Sequence, residues 1–191
     1  MVLGIYSKYL TPGNDRRWRI EHAQIVNPAD FNAFGKAAII PSVQPTHATS
    51  DKNMAQDRLG EIRIQGAYAW RKLLDAGAVI ANGSDFPVES PNPFFGLHAA
   101  ITRQDHQNEP AGGWFPEERM TTEEAFASFT IDAAYAGHQE ELLGTLEPGK
   151  AADFILLEQD IFVAAPSEIW KARVLETWVN GVRVMDGTQP Q

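Results

Sequence analysis

The 191-residue sequence has no cysteine. That excludes disulfides, thiolate metal sites and cysteine nucleophiles, and leaves any metal to histidine and carboxylate. No apolar run approaches the roughly 18 to 20 residues of a membrane helix, and the opening MVLGIYSKYLTPGNDRR lacks a signal-peptide layout. Positive charge is scarce: 16 Lys+Arg face 25 Asp+Glu, for a formal net charge of −9. Phosphate backbones want a basic face, so this balance argues against a nucleic-acid partner. Neither G-x-G-x-x-G nor G-x-x-x-x-G-K-[ST] occurs, which counts against nucleotide binding, and no G-x-S-x-G elbow offers a serine nucleophile. There is no internal repeat. The expectation is a cytoplasmic protein with neither membrane nor nucleic-acid partner.

What is present is ordinary globular material, 43% hydrophobic and 21% charged, enough for a packed core. Short apolar runs alternate with amphipathic stretches, the pattern of an α/β fold with a parallel sheet. Strands are expected at 18–24, 37–43 and 78–82, with a short helix in NPADFNAFG between the first two. THATSDKNMAQDRLG is polar and reads as a long loop, followed by a helical pattern in EIRIQGAYAWRKLLDAG that ends at Gly77. Three prolines, Pro87, Pro91 and Pro93, make GSDFPVESPNP a shaped loop. Residues 94–103 could form a helix, and Thr121 with Glu124 fits a capping box opening another. After Leu146 the texture changes to a tight turn, a strand, and a hairpin closed by Asn180-Gly181, the dipeptide that suits a type I′ turn.

Polar residues fall at the ends of the three expected strands, where a parallel sheet places its active site. They are His22 in RIEHAQ, Gln44 and His47 in PSVQPTH, and Asp85 in NGSDFPV. Taken alone each has a bland reading: His22 as a hydrogen-bonded strand-end imidazole, His47 as a solvated loop residue, Asp85 as turn or N-cap chemistry. Glu21, alternating with His22 on the strand, points to the opposite face. His98, His106 and His138 read as surface residues, and Arg16, Arg17 and Arg19 as a solvated face among acids.

In combination the segments are more specific. RIEHAQ, PSVQPTHATSD, NGSDFPVESPNPFFGLHAAITR and LGTLEPGKAADFILLEQD, in this order, closely resemble the C-terminal half of the metal-dependent amidohydrolase superfamily. The nearest branch is the amidohydrolase 3 group, with its N-substituted formamide deformylase-like members. The resemblance covers roughly residues 17–187. It implies an α/β fold that is the C-terminal portion of a (β/α)8 TIM-type barrel, about strands six to eight, followed by part of a small β-sandwich. The boundary is expected near residue 143, giving units 1–143 and 144–191. His22 is similar to the sixth-strand metal histidine and Asp85 to the eighth-strand aspartate, which serves both as metal ligand and as catalytic acid-base. Gln44 and His47 would lie near substrate on strand seven.

The family's H-x-H is absent from the sequence. A complete barrel takes about 250 residues, so the first five strands, with most metal ligands, would precede residue 1. The resemblance therefore implies hydrolysis of amide or cyclic-amide C–N bonds in small molecules with a divalent metal, zinc first. The chain by itself is expected to fall short of the three protein ligands of a catalytic zinc, which leaves a metal-free chain as one expectation. The competing expectation is an inactive half-barrel. Unpaired sheet edges favour a homo-oligomer in either case.

Overall fold

The computed structural model describes residues 1–187. Helix α1 (Val2–Tyr6) precedes strand β1 (Arg19–Glu21), helix α2 (Phe31–Ala37) and strand β2 (Ile40–Val43). Helices α3 (Pro45–Arg63) and α4 (Trp70–Asp75) then lead to strand β3 (Ala81–Asn82). The three strands pair in parallel in the order β1-β2-β3, with Glu21 opposite Ser42 and Val43 opposite Asn82. One face of this sheet carries the main core, where Phe34 of α2 and Trp70 and Leu73 of α4 pack with Ile39, Val43 and Ile80. Each such fully buried side chain contributes roughly 1.5 to 3 kcal/mol. The other face is covered only in part, by Ala136 and Tyr135 against Ile40 and Ala81.

Beyond β3 come helices α5 (Pro93–Thr102), α6 (Thr122–Phe129) and α7 (Ile131–Ala136). Proline at the first turn and the Asn92 side chain accepting from the Phe94 N–H start α5. The capping box at Thr121 and Glu124 forms as the sequence indicates, each side chain bonding the other's backbone N–H. A second sheet is antiparallel, in the order β4 (Phe154–Leu157), β5 (Val174–Val179), β6 (Val182–Asp186). Asn180 and Gly181 take φ of 50° and 73°, the two left-handed residues a type I′ hairpin needs. The Asn180 N–H donates to Asp153 Oδ1 at 2.6 Å, tying this turn to the entry of β4.

Several expectations change. The stretch read as a loop, 46–60, is helical and belongs to α3; Pro45 starts it and Gly60 (φ 70°, ψ 173°) interrupts it. Its buried residues are few and small or polar, so no apolar stripe announces the helix. The helical pattern expected after it breaks into a short 3-10 turn at Ile64–Gly66 and then α4. Strand β1 is shorter than expected at both ends, while β2 and β3 start late but end at Val43 and Asn82 as expected. Ala38 ends α2 in the left-handed region rather than lying in β2. His98 is not on the surface: it is fully buried on α5, with Nδ1 and Nε2 lying 3.0 and 3.1 Å from the carbonyl oxygens of Pro166 and Asp105. It thereby links α5 to the 3-10 turn Pro166–Lys171 that leads into β5. His106 is half-buried, stacked on Trp170 at 5.0 Å, and only His138 is exposed as expected. Among the described residues, no helix is long and apolar enough to cross a membrane.

Two close constraints are testable. Gly35 of α2 runs against the end of α4 so tightly that an added Cβ would sit 1.9 Å from the Ala76 carbonyl oxygen. Gly35→Ala should cost about 1 to 3 kcal/mol or more in chemical denaturation, whereas Gly4→Ala, in open space, should not destabilise. Asp132, near the start of α7, has its carboxyl pKa pushed up by burial. An acid whose folded pKa exceeds its unfolded value costs stability at higher pH, and that cost disappears below the unfolded value. Asp132→Asn should therefore raise the melting midpoint at about pH 7 and leave it unchanged near pH 3.

Candidate active site at the carboxyl edge of the parallel sheet

The chain leaves β1 at His22, whose φ of 67° is followed by 39° at Ala23. Extended alternation stops there, so His22 swings toward the end of β2 instead of simply opposing Glu21. Asp85 likewise has φ of 57°, in the turn that follows β3. Non-glycine residues in this region are strained by roughly 1 kcal/mol or more, and such strain gathers at functional sites. The result is that His22 Nδ1 lies 2.9 Å from Gln44 Oε1 and 4.0 Å from Asp85 Oδ2. Three residues from three strand ends thus meet at one edge.

Gln44 is the residue between β2 and α3, and His47 sits in the first turn of that helix, its N–H donating to the Gln44 carbonyl at 3.1 Å. The His47 and His22 rings are 6.0 Å apart and nearly parallel. Contrary to the reading of His47 as a solvated loop residue, it is only 8% exposed, and its Nε2 is buried without a hydrogen-bond partner.

Behind these residues lies a second layer that the motifs did not single out. Gln24 Nε2 is 3.5 Å from His47 Nδ1 and 3.4 Å from Asp51 Oδ2, and the Tyr68 hydroxyl donates to that same carboxylate oxygen. Burial, and then the bond to Asp51, push the Tyr68 phenol above its ordinary pKa, so it remains a donor. The Tyr68 carbonyl accepts from Arg103 Nη1 at 3.0 Å. Arg103 is itself fully buried between Trp70 and Trp114, and burial pulls its pKa down to about 10. Asp51 is four residues beyond His47, one helical turn, a relation that could be read only once α3 is known to be a helix.

The site's metal-binding capacity is partial. Among the described residues no group of three His, Cys, Asp or Glu side chains converges on a point. His22 and Asp85 together fall one short of the three protein ligands of a catalytic zinc. A cavity of about 500 Å³ lies elsewhere, near the amino end of β1, lined by Tyr6, Arg16, Arg17, Arg19, Glu21 and His138 among others. Its charges are largely matched, and Arg17 is no solvated residue: its side chain is 9% exposed and paired with Asp15 and Glu140. We place no ligand there.

The fold and the site define an α/β protein whose polar groups gather at the carboxyl edge of a parallel sheet, with histidine and aspartate foremost. The sequence profile of the amidohydrolase family matches residues 11–185, and the chain belongs to that family. Protein LONG AFTER FAR-RED 3 of Arabidopsis thaliana is 36% identical over 184 residues, covering 95% of this chain and 31% of that one. A putative amidohydrolase, YtcJ, of Bacillus subtilis is 29% identical over 180 residues, covering 94% and 34%. N-substituted formamide deformylase of Arthrobacter pascens is 32% identical over 112 residues, covering 59% and 20%. The chain thus spans about a third of the length of the first two relatives. In three dimensions it is similar to a metal-dependent hydrolase from Pyrococcus horikoshii OT3, with TM-score 0.73 and 25% identity over 86% of this chain and 32% of that one. The fold is also that of an atrazine chlorohydrolase from Arthrobacter aurescens complexed with zinc, with TM-score 0.64 and 22% identity, covering 93% and 38%.

The strain at the site is measurable. Glycine adopts φ of 67° without steric strain, and that relief offsets its larger loss of chain entropy. His22→Gly should therefore leave stability unchanged or raise it by up to about 1 kcal/mol. Equilibrium unfolding in urea checks this, and a large loss of stability would mean that His22 has a structural rather than a functional place.

Proposed function

We propose that the chain is the carboxyl-terminal part of a (β/α)8 barrel hydrolase, with β1, β2 and β3 as barrel strands six, seven and eight. In this reading residues 1–143 belong to the barrel and 144–191 to a small β-sandwich, of which 188–191 lie outside the described residues. The reaction is hydrolysis of a C–N bond in a small amide or cyclic amide. The observation that carries it is the meeting of His22, Gln44 and Asp85 at the carboxyl edge, with His22 Nδ1 and Asp85 Oδ2 4.0 Å apart.

Zinc is the divalent ion we assign to the complete enzyme, with His22 and Asp85 as two of its donors and the rest supplied from outside this chain. Such an ion lowers the pKa of a bound water from about 16 toward 7. The chain's own residues do the following. The Asp85 carboxylate accepts a proton from the attacking water and returns it to the nitrogen as the C–N bond breaks. His47, from its unpartnered Nε2, donates to the substrate carbonyl oxygen as negative charge develops there. Gln44 holds the His22 ring in orientation.

The donor count supports a second reading, a half-barrel without activity of its own that associates with copies of itself. Among the described residues the outer edge of β1 has no strand partner, and Ile155, Val182 and Val184 of the second sheet are exposed. Zinc analysis together with turnover of N-formyl and N-acyl amines, made with the remaining metal donors present in the same protein, separates the two. About one bound zinc per chain with turnover, and loss of at least 100-fold in kcat for Asp85→Asn, supports the catalytic reading. A metal-free, inactive chain that sediments as a dimer or larger supports the second.

A further inference from the structure

The two histidines at the sheet edge face different partners, and the partners dictate where each ring carries its proton. On the His22 ring, Asp85 Oδ2 at 4.0 Å from Nδ1 can only accept, and the Gln44 amide, with Oε1 at 2.9 Å, is turned to accept as well. A neutral ring has one N–H, so the proton belongs on Nδ1 and Nε2 keeps its lone pair. On the His47 ring the neighbour of Nδ1 is instead the Gln24 amide, at 3.5 Å. Which end of that amide faces the ring is decided further out. The same amide end lies 3.4 Å from Asp51 Oδ2, an oxygen that already accepts the Tyr68 hydroxyl. A carboxylate oxygen only accepts, so the amide end between Asp51 and His47 must be the NH₂. Its second hydrogen then points at His47 Nδ1, which has to accept, and the ring proton moves to Nε2.

We propose that Asp51, acting through Gln24, is a positioning residue that locks His47 as the Nε2–H tautomer, complementary to a His22 locked as Nδ1–H. The edge then presents one electron-pair donor, His22 Nε2, and one hydrogen-bond donor, His47 Nε2–H, from rings 6.0 Å apart. His47 Nε2 has no hydrogen-bond partner within the chain, so an N–H there is left with its acceptor still to be supplied. Tyr68 anchors the outer end, and its own backbone is held by the buried Arg103. This deepens the proposed function and rests on its assignment of His47 to the substrate oxygen. The acceptor expected at His47 is accordingly a carbonyl or carboxylate oxygen, not an amine.

The test is the ring-nitrogen spectrum of the ¹⁵N-labelled full chain at about pH 8, well above an ordinary imidazole pKa. The expected result is a single tautomer for each histidine, His47 with its proton on Nε2 and His22 with its proton on Nδ1. In Asp51→Asn the new amide can either donate or accept, so Gln24 is free to turn. His47 should then pass from one tautomer to comparable populations of both. Gln24→Met, of similar length and without an N–H, should release His47 in the same way and serves if the first variant does not fold. A wild-type His47 protonated on Nδ1 overturns the proposal with no variant needed, as does a His47 pattern unchanged in a folded Asp51→Asn or Gln24→Met chain. Loss of the catalytic reading has a different signature. A chain that neither binds zinc nor turns over amides, yet shows His47 locked at Nε2–H, upholds the relay and removes only its assigned use.

Discussion

Everything at the candidate site depends on the parallel pairing of β1, β2 and β3. Parallel strands share one carboxyl edge, and the residue that follows each strand is delivered to it regardless of separation in the chain. His22 and Asp85 lie 63 positions apart in sequence and meet at 4.0 Å only because β2 stands between their strands and is paired to both. That pairing is in turn held by the packing of α2 and α4 on one face, where the close approach of Gly35 to the Ala76 carbonyl leaves no room for a side chain. A one-residue slip in either strand pair would turn core-facing residues to the opposite face of the sheet, and the core and the site would be lost together.

The second structural theme is the use of buried and half-buried polar groups as connectors. Lys52 of α3 bonds the Asp105 carboxylate and the Glu109 carbonyl. Arg71 of α4 reaches Glu124 in the capping box of α6, and this pairing holds the Glu124 carboxyl below its usual pKa. His98 spans from α5 to the turn before β5, and Arg103 from the α5 terminus to Tyr68 and Trp114. Groups of this kind are costly when unpaired, so they select one arrangement of the helices around the sheet. The Arg103–Tyr68–Asp51 branch of this framework runs up to the site, so the same contacts that organise the core also set how the edge is presented.

Much of this was legible from residues with local meaning. Asn180-Gly181 specifies a hairpin because both residues must take positive φ; Thr121 and Glu124 specify a helix start because each caps the other; Gly77 follows α4 with φ of 81°. The site motifs were legible too, as polar residues at expected strand ends. Helix α3 was not: its buried side chains are Pro45, Thr46, His47, Ala48 and Ala55, which make no apolar stripe. With that helix unread, the i, i+4 relation between His47 and Asp51 was invisible, and so was the layer behind His47. His98 and Arg17 were misplaced for a related reason. Burial of a polar side chain depends on partners such as the Pro166 carbonyl or Glu140, which lie 68 and 123 residues away.

By itself the sequence determined the alternation of strand and helix, the turn chemistry, the exclusion of cysteine-based sites and the family. Those follow from local conformational preference and from which residue types are present. Only the tertiary structure decided which polar groups meet, which are buried and which face of each histidine is free. These depend on the register of parallel strands and on long-range packing, and neither leaves a mark at a single position in the chain.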